Sequence, residues 1–281
     1  MLDLLQSSKF IVVIAFVLLW VLERVFPAAS DNALRLRHDF RNLTLGAINA
    51  GLSALLLASL LVFTAKWTAT SQIGLLNKLS VSPLLSTLLA IILLDGWMYC
   101  WHRANHVVPF LWRFHRVHHS DLEMDASTAI RFHAGEIVMS GLLRVALIPM
   151  LGLSLKHLLL YDALLLPVIL FHHSNVNLPE RLDRWLRLLI TTPALHRVHH
   201  SRRMIEANSN YGSIFSFWDR LWRTFQLRSD GSPVDFGVKG LDSESQQTIR
   251  GLLQVPFTNA SSATTAWTPA APVPAKSPRL R

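Results

Sequence analysis

Long apolar runs constrain the fold of this chain more than any other feature of its sequence. Of its 281 residues, 51% are hydrophobic and only 16% are charged, whereas a soluble globular domain usually carries about a quarter charged residues. The apolar runs cover about 10–26, 43–65, 83–101, 137–153 and 158–171. A helix needs about 20 apolar residues to cross a bilayer core of roughly 30 Å. The runs therefore predict an all-α, polytopic membrane bundle of about four to five membrane helices or hairpins.

Some of these runs leave alternatives open. The last two are near or below the spanning minimum, and the first of that pair contains Arg144. They form either a tight pair of spans or a hairpin that enters the bilayer partway. The first run of the chain has a signal peptide as its alternative, because residues 27–29 resemble a cleavage site. A span is favoured there, since Glu23 and Arg24 interrupt the approach to that site.

The distribution of arginine and lysine predicts the orientation of the bundle. The segments after the first, third and fifth runs are rich in arginine, whereas those after the second and fourth hold only Lys66, Lys78 and Lys156. Cytoplasmic loops carry the excess of Lys and Arg. The N-terminus is therefore predicted outside, and the segments after the odd-numbered runs in the cytoplasm. The formal charge of +9 is attributed to this orientation, and no nucleic-acid partner is expected.

Histidine is concentrated in one stretch of the chain. All of the 13 histidines except His38 lie between residues 102 and 200. Residues three and four apart share one face of a helix, so two or three imidazoles of one motif can point the same way. The last motif repeats the second. The four motifs are His102-Arg-Ala-Asn-His106, His115-Arg-Val-His118-His119, His172-His173-Ser-Asn175 and His196-Arg-Val-His199-His200.

These motifs predict a centre for two metal ions. Neutral imidazole is a common metal ligand, and one open site needs three or four protein ligands, so nine histidines are too many for one ion. The single cysteine, Cys100, leaves nitrogen and oxygen as ligand atoms, and imidazole suits zinc, copper, iron and nickel. The predicted metal ligands are His102, His106, His115, His118, His119, His173, His196, His199 and His200.

Six further residues are candidates for binding a metal or for holding a ligand through a hydrogen bond. His133 and Glu136 share helical i, i+3 spacing. Asp95 lies two turns before His102 within an apolar run, where an ionisable group is costly and needs a partner. No catalytic residue separate from the metal ligands is expected. The six candidates are His133, Glu136, His172, Asp95, Asn175 and Asp219.

The motifs resemble those of the fatty acid hydroxylase and sterol desaturase superfamily, whose members are membrane di-iron proteins with histidine boxes. The resemblance covers residues from about 95 to about 225, nearly half of the chain. One departure is Ala134, where the superfamily often has proline. The matching segments are 95–106, 111–120, 173–179, 196–201, 210–212 and 218–219.

The resemblance implies a hydrophobic helix bundle under a cytosolic, histidine-rich helical cap that holds two Fe ions as a di-iron centre. It implies O2-dependent hydroxylation or desaturation of a lipid, such as a sterol, a fatty acyl chain or a related substrate. Electrons would come from a separate donor, a reductase with cytochrome b5 or ferredoxin, because no fused electron-transfer domain is visible. A multi-pass protein of a bacterial inner membrane is expected, or of the endoplasmic reticulum if the source is eukaryotic.

Two other functions fit the residues without the resemblance. A zinc-dependent membrane hydrolase would use the same imidazoles but would need a carboxylate base near the metal, for which Glu136 is the candidate. A metal carrier would place its ligands deep in the membrane along a path, whereas these motifs follow helix ends. The residues alone leave zinc open, and the preference for iron rests on the resemblance.

Three regions are expected along the chain. Residues 1–82 are predicted to form N-terminal membrane helices, and 83–230 to form the histidine-box hydroxylase or desaturase domain. Residues 231–281 are predicted to form a polar, disordered tail. Between the last motif and this tail, apolar residues recur at helical spacing over 214–225, a pattern typical of an interfacial helix or of a helix packed on the cap.

Overall fold

The computed structural model describes residues 2–29, 35–228 and 232–258, with side chains from Phe10 onward. The regular secondary structure of these residues is helical, and their β contacts are three isolated bridges. Two 3-10 helices, Ala126–Ile130 and Val255–Phe257, supplement the α-helices. In chain order the α-helices are α1 (Leu2–Val25), α2 (Arg35–Leu56), α3 (Ala58–Thr70), α4 (Leu75–Lys78), α5 (Pro83–Val107), α6 (Pro109–His119), α7 (Ala134–Leu151), α8 (Leu155–His173), α9 (Glu180–Leu186), α10 (Pro193–His199), α11 (Met204–Ala207), α12 (Phe217–Leu221) and α13 (Ile249–Gln254).

Three of these helices, α5, α7 and α8, are long and apolar enough to cross a membrane. A fourth candidate is the pair formed by α2 and the segment Ala58–Lys78, which is bent by 49°. The predicted all-α membrane bundle is therefore confirmed. The second predicted run, 43–65, differs in detail, because its helix begins at Arg35 and breaks after Leu56.

The early start of α2 has a polar cause that hydropathy does not register. Its first turns carry Arg35 and Asn42, both buried. Arg35 Nη2 lies 2.6 Å from Glu23 at the end of α1, and Asn42 Nδ2 donates to Asp121 Oδ2 and to Ser127 Oγ. Buried polar groups need such partners. The first turns of α2 therefore belong to the polar cap, and only its later part is apolar.

The fourth and fifth runs form two helices of 18 and 19 residues, each long enough for a full span. α7 ends at Gly152, whose φ of +75° closes the helix in the left-handed region that glycine adopts without strain. α8 begins at a capping box, in which the Ser154 side chain accepts from the backbone N–H of His157. A cap on either side of a three-residue turn fixes the boundary, so the alternative of two spans is favoured over a shallow hairpin.

All histidine motifs lie at one end of the bundle. α5 and α8 run toward that end and finish with His106 and His173, whereas α7 leaves it directly after His133. The end of α1 joins the same polar layer, because Glu23 Oε2 accepts from the backbone N–H groups of Ala126 and Asn175. The histidines therefore form one cap on the helix ends.

The prediction that residues 231–281 form a disordered tail is wrong in part. Residues 232–258 fold onto the cap through α13 and the 3-10 helix that follows it. Leu252 and Val255 are buried in a cluster with Leu241 and with Val117 of α6. The local sequence is polar, so its few buried apolar side chains gave no periodic signal. Residues 259–281 lie outside the described residues.

The helix expected over 214–225, either interfacial or packed on the cap, is much shorter than its sequence pattern suggests. Only Phe217–Leu221 is helical. Ile214 is buried in the main apolar core of the bundle instead of sharing a face with its neighbours. Asn210, before the segment, and Arg223, within it, have positive φ angles of 53° and 58°, so the chain turns sharply on both sides of α12 and cannot extend the helix.

Candidate metal centre

Nine imidazoles meet at the bundle end in two neighbouring groups. In each group, one ring nitrogen from every histidine lies within 4.8 Å of the corresponding nitrogens of the others. The five-histidine group consists of His102, His106, His115, His119 and His199. The four-histidine group consists of His118, His173, His196 and His200. Together they contain all nine of the histidines that the sequence predicts as ligands and no others.

The local sequence explains how two short helices present most of these side chains. α6 and α10 both begin with proline at the first helical position, Pro109 and Pro193, where the missing N–H costs nothing. Val108 separates α5 from α6 in an extended conformation. The chain therefore changes direction between the first two motifs, and the imidazoles of α6 face those at the end of α5 instead of continuing past them.

Adjacent histidines in one motif serve different groups. His118 belongs to the four-histidine group and His119 to the five-histidine group, and His200 and His199 divide in the same way. Consecutive residues of a helix point about 100° apart. α6 and α10 thus lie between the two groups, and each contributes to both.

The imidazoles are buried, and burial favours the neutral form that metal ligation requires. Eight of the nine are at most 2% exposed, and His102 is partly buried. Outside the spans, five histidines of the second and fourth motifs have a pKa that burial lowers well below the ordinary 6.5, and neighbouring imidazoles lower it further. These are His118, His119, His196, His199 and His200.

Buried ring nitrogens without a hydrogen-bond partner are donor atoms suited to binding a cation. Every member of the five-histidine group has a buried ring nitrogen that bonds to nothing in the described protein. In the four-histidine group, His173 Nε2 lies 3.1 Å from His118 Nε2 and 3.0 Å from His196 Nε2. Buried polar atoms are rarely left unpaired. The two donor sets therefore fit two ions, one in each group.

The outer nitrogens are fixed by the protein, mainly through carbonyl oxygens. His102 Nδ1 lies 2.9 Å from the Tyr211 carbonyl, and His199 Nδ1 lies 2.7 Å from that of Ser209. His118 Nδ1 and His173 Nδ1 face the carbonyls of Arg131 and Ile169 at 3.3 and 2.8 Å. When Nδ1 carries the proton and donates it to a carbonyl, the lone pair of the ring is on Nε2. These contacts therefore select the tautomer whose Nε2 can bind a metal.

Glu136 makes a direct contact with a predicted ligand. Its Oε1 accepts from His115 Nδ1 at 2.9 Å, the carboxylate–imidazole pairing that is common behind metal-bound histidines. This places Glu136 on the outer side of His115. Its neighbour His133 instead caps α7, with Nδ1 accepting from Gly135 N and Nε2 near the Leu253 carbonyl, and is in neither group.

Asp219 acts on the site through the backbone. Its carboxylate accepts from the N–H groups of Tyr211 and Gly212 and from Thr224 Oγ1. These bonds hold the loop whose Tyr211 carbonyl faces His102. Burial raises the pKa of Asp219 to about 6, so the carboxyl is partly protonated near neutral pH.

Asp95, Asn175 and His172 do not bond to the predicted ligands in the way the sequence suggested. Asp95 accepts from Tyr161, from two backbone N–H groups of 214–215 and from the Trp218 indole. Asn175 ties the end of α8 to Ala29. His172 packs with its ring centroid 4.0 Å from that of His196 and bonds to the backbone of Ser213. All three position the elements around the site.

Sequence reasoning missed Arg131, a fully buried arginine beside the site. Its Nε donates to the Val117 carbonyl and its Nη2 to Ser120 Oγ, at the end of α6. Its own carbonyl faces His118. The available signal was an arginine between two apolar neighbours, which indicates a buried charge that needs partners.

A third cluster, formed by His38, Asp39 and Asp125, also brings potential ligand atoms within 4.8 Å. Its carboxylates already face cations, since Arg24 lies 3.5 Å from Asp39 and Arg35 lies 3.8 Å from Asp125. The imidazole itself lies 3.3 Å from Asp125. This cluster is an ion-pair network between α2 and the cap, and it differs from the two histidine groups in having its charge balanced by arginine.

Comparison with known proteins identifies the region that contains both groups. The profile of the fatty acid hydroxylase family matches residues 87–224. The chain is 33% identical over 54% of its length to an ornithine lipid hydroxylase of Rhizobium tropici, covering 45% of that protein. It is 31% identical over 48% of its length to the alkylglycerol monooxygenase of Homo sapiens, covering 29%, and 27% identical over 60% to the cholesterol 25-hydroxylase of Rattus norvegicus, covering 57%.

The matched part of the chain spans less than two thirds of each of these relatives. No solved structure matches the chain significantly. The matched residues contain all nine converging histidines, Glu136 and Asp219. Residues 87–224, just under half of the chain, therefore match the fatty acid hydroxylase family.

Proposed function

We propose that this protein is a membrane-bound, di-iron, O2-dependent oxidoreductase that hydroxylates or desaturates a lipid. The observation that carries the proposal is the pair of buried histidine groups, five and four strong, within the family-matched region. The relatives are named as hydroxylases or monooxygenases of an ornithine lipid, alkylglycerol and cholesterol. These names share lipid oxygenation and differ in the lipid, so the proposal extends to the class of substrate only.

The nine histidines would hold one iron ion in each group. When bound, the pair supplies the reduction of O2 and the attack on an unactivated C–H bond, chemistry that belongs to the cofactor. The protein contributes ligands whose lone pairs are selected by the carbonyls and by Glu136 behind them. It also contributes a dry environment, because nearly all the ligand side chains are at most 2% exposed.

The surroundings of the site support a substrate that arrives from the bilayer. The groups sit at the ends of α5 and α8, two helices able to span a membrane. A lipid can therefore bring a carbon atom of its chain or ring system to the cap without leaving the leaflet. We further propose that the cap faces the cytoplasm of a bacterial inner membrane, where a separate reductase with cytochrome b5 or ferredoxin delivers electrons.

A zinc hydrolase is the competing function, and the position of Glu136 argues against it. A hydrolase needs a carboxylate that reaches a metal-bound water. Glu136 instead accepts from Nδ1 of His115, whereas the nitrogen of His115 that bonds to nothing is Nε2. Glu136 Oε1 is therefore engaged by the ring nitrogen of His115 other than the one that is free to ligate.

The test is metal analysis of the purified full chain, followed by lipid analysis of cells with and without it. We expect about two iron ions per chain after anaerobic reconstitution, and one lipid class that gains oxygen or a double bond only when O2 is present. Tightly bound zinc with O2-independent hydrolysis of a lipid would overturn the proposal. The double variant His118→Ala/His199→Ala, which removes one ligand from each group, serves as the inactive control and should still insert into the membrane.

A further inference from the structure

The surface around α9 and α12 exposes more large apolar side chains than the polar cap of a protein normally does. Each of the six is between 47% and 68% exposed. Contiguous apolar patches of this kind mark interaction sites, for another protein or for a membrane. We call this surface the cap patch, and it consists of Leu182, Trp185, Leu188, Leu189, Leu221 and Trp222.

The two halves of the cap patch are joined by backbone contacts. The N–H of Ser216 donates to the Leu189 carbonyl, and Arg220 Nη2 donates to the carbonyl of Arg187. An isolated bridge connects Ile190 with Phe215. The segment that follows α9 therefore runs beside α12, and the apolar side chains of both lie on one continuous surface.

The position of the cap patch along α5 gives its depth. Asp95 of α5 accepts from the backbone of 214–215 and from Trp218, and the Trp222 ring stacks on Tyr99 at 6.4 Å. Asp95 is twelve residues from Pro83, or about 18 Å along a helix that rises 1.5 Å per residue. A hydrocarbon core of roughly 30 Å that starts near Pro83 still surrounds α5 at this level.

Basic side chains border the apolar surface. Arg181 and Arg184 are exposed on α9, and Arg223 is exposed next to Trp222. An apolar surface with arginine at its edge and tryptophan within it matches the boundary between acyl chains and anionic headgroups. A second copy of the chain would offer the same positive border, so charge disfavours that occupant.

We propose that the cap patch is embedded in the leaflet on the histidine side of the membrane, with its arginines on the phosphates of anionic phospholipids. The cap would then not stand clear of the bilayer but would rest within it beside α5. This arrangement does not depend on the metal or on the proposed reaction, because it concerns only how the folded chain meets lipid.

The test uses the full chain in vesicles of phosphatidylcholine, prepared either with about 30% phosphatidylglycerol or without it. In a Cys100→Ser background, which removes the only cysteine, single cysteines replace Leu189 or Leu221 in the patch, or Ser243 as an exposed control. Each carries a nitroxide, and its collisions with O2, which concentrates in lipid, and with a water-soluble nickel chelate are measured by electron paramagnetic resonance.

We expect the two patch positions to favour O2 over the nickel chelate by at least about fivefold relative to the Ser243 control. Phosphatidylglycerol should increase this preference, and the double variant Arg181→Gln/Arg184→Gln should abolish the increase. Nickel access at the patch equal to that at Ser243 would overturn the proposal, because the surface would then face water. Protection from both reagents would also overturn it, in favour of coverage by a second copy.

Discussion

The two histidine groups differ in the atoms that accept hydrogen bonds from Nδ1 of their ligands. In the five-histidine group, His115 is backed by the carboxylate of Glu136, and two further ligands are backed by carbonyls of the 209–211 loop. In the four-histidine group, the backing atoms of His118 and His173 are both carbonyls. A carboxylate raises the basicity of the imidazole it bonds. The five-histidine group should therefore hold its ion more tightly, and the four-histidine group should leave more coordination positions open.

The largest expected effect comes from removing one ligand from either group. His118→Ala leaves three imidazoles in the four-histidine group, whereas His119→Ala leaves four in the five-histidine group. Because a site with three or four ligands is near the minimum, we expect His118→Ala to lose one iron of two and His119→Ala to retain both. Lipid turnover should fall in both variants by more than the roughly 10–100-fold typical of outer contacts.

Iron content and Mössbauer spectra of the two variants measure this difference. His118 and His119 are neighbours on one helix, so general damage to α6 should affect both variants alike. Equal loss of iron from both would show that the two groups bind as a single unit, and the comparison between them would no longer hold.

The second effect concerns the carboxylate itself. Glu136→Ala removes the acceptor from His115, and Glu136→Gln keeps an oxygen but removes the charge. We expect the affinity for the more tightly held ion to fall by about 10–100-fold in the alanine variant, and by less in the glutamine variant. Competition with a chelator measures both affinities. Glu180→Gln, at an exposed ion pair with Arg187, is the control, and a weakened second ion instead of the first would contradict the assignment.

The division into two groups could not be read from the sequence, although the set of nine could. Spacings of three and four residues show which imidazoles share a helix face. Whether His118 and His119 meet the same ion depends on where α10 packs, and that contact joins residues about 80 positions apart in the chain. Asp95 illustrates the same limit. Its need for partners was evident from its apolar surroundings, but its partners lie in 214–218, and no local pattern connects the two segments.

The C-terminal segment 232–258 lies outside the family-matched region. It nevertheless makes hydrogen bonds with α6, the helix that supplies ligands to both groups. Gln247 is buried; its Oε1 accepts from Arg131 Nη2 at 2.6 Å, and its Nε2 donates to the Ser120 carbonyl at 2.9 Å. Arg116 of α6 donates to the Val255 carbonyl. Because α6 supplies His115, His118 and His119, this segment should influence the two groups equally.

The variant Gln247→Ala tests that expectation, and Gln246→Ala at the neighbouring position is its control. The substitution leaves a donor of the buried Arg131 and the Ser120 carbonyl without partners, which should cost on the order of 1–2 kcal/mol of unfolding free energy. Both ions should exchange faster by a similar factor. Gln246→Ala, at a more exposed position whose contacts stay within its own loop, should change neither quantity. Faster exchange of only one ion would contradict the symmetric role of α6.

The smallest expected effect is a pH dependence of stability that involves only the five-histidine group. Asp219 holds the loop whose carbonyls accept from His102 and His199, which both belong to that group. Burial raises the pKa of its carboxyl from 3.8 to about 6, so the folded state disfavours the ionised form. Stability linked to this group is therefore complete below about pH 4 and is lost as pH rises through about 6. The loss should be on the order of 1 kcal/mol between pH 5 and pH 7.

Asp219→Asn should remove this pH dependence, because an amide does not titrate. Its –NH2 group must also face one of the three donors that the carboxylate accepts, so the variant should be less stable than the parent at every pH. The difference in unfolding free energy between the two proteins should therefore be largest at pH 5 and shrink toward pH 7. Thermal unfolding across that range measures it. A difference that grows with pH would show that the ionised carboxylate is the favoured form in the fold, and that its hydrogen bonds outweigh burial.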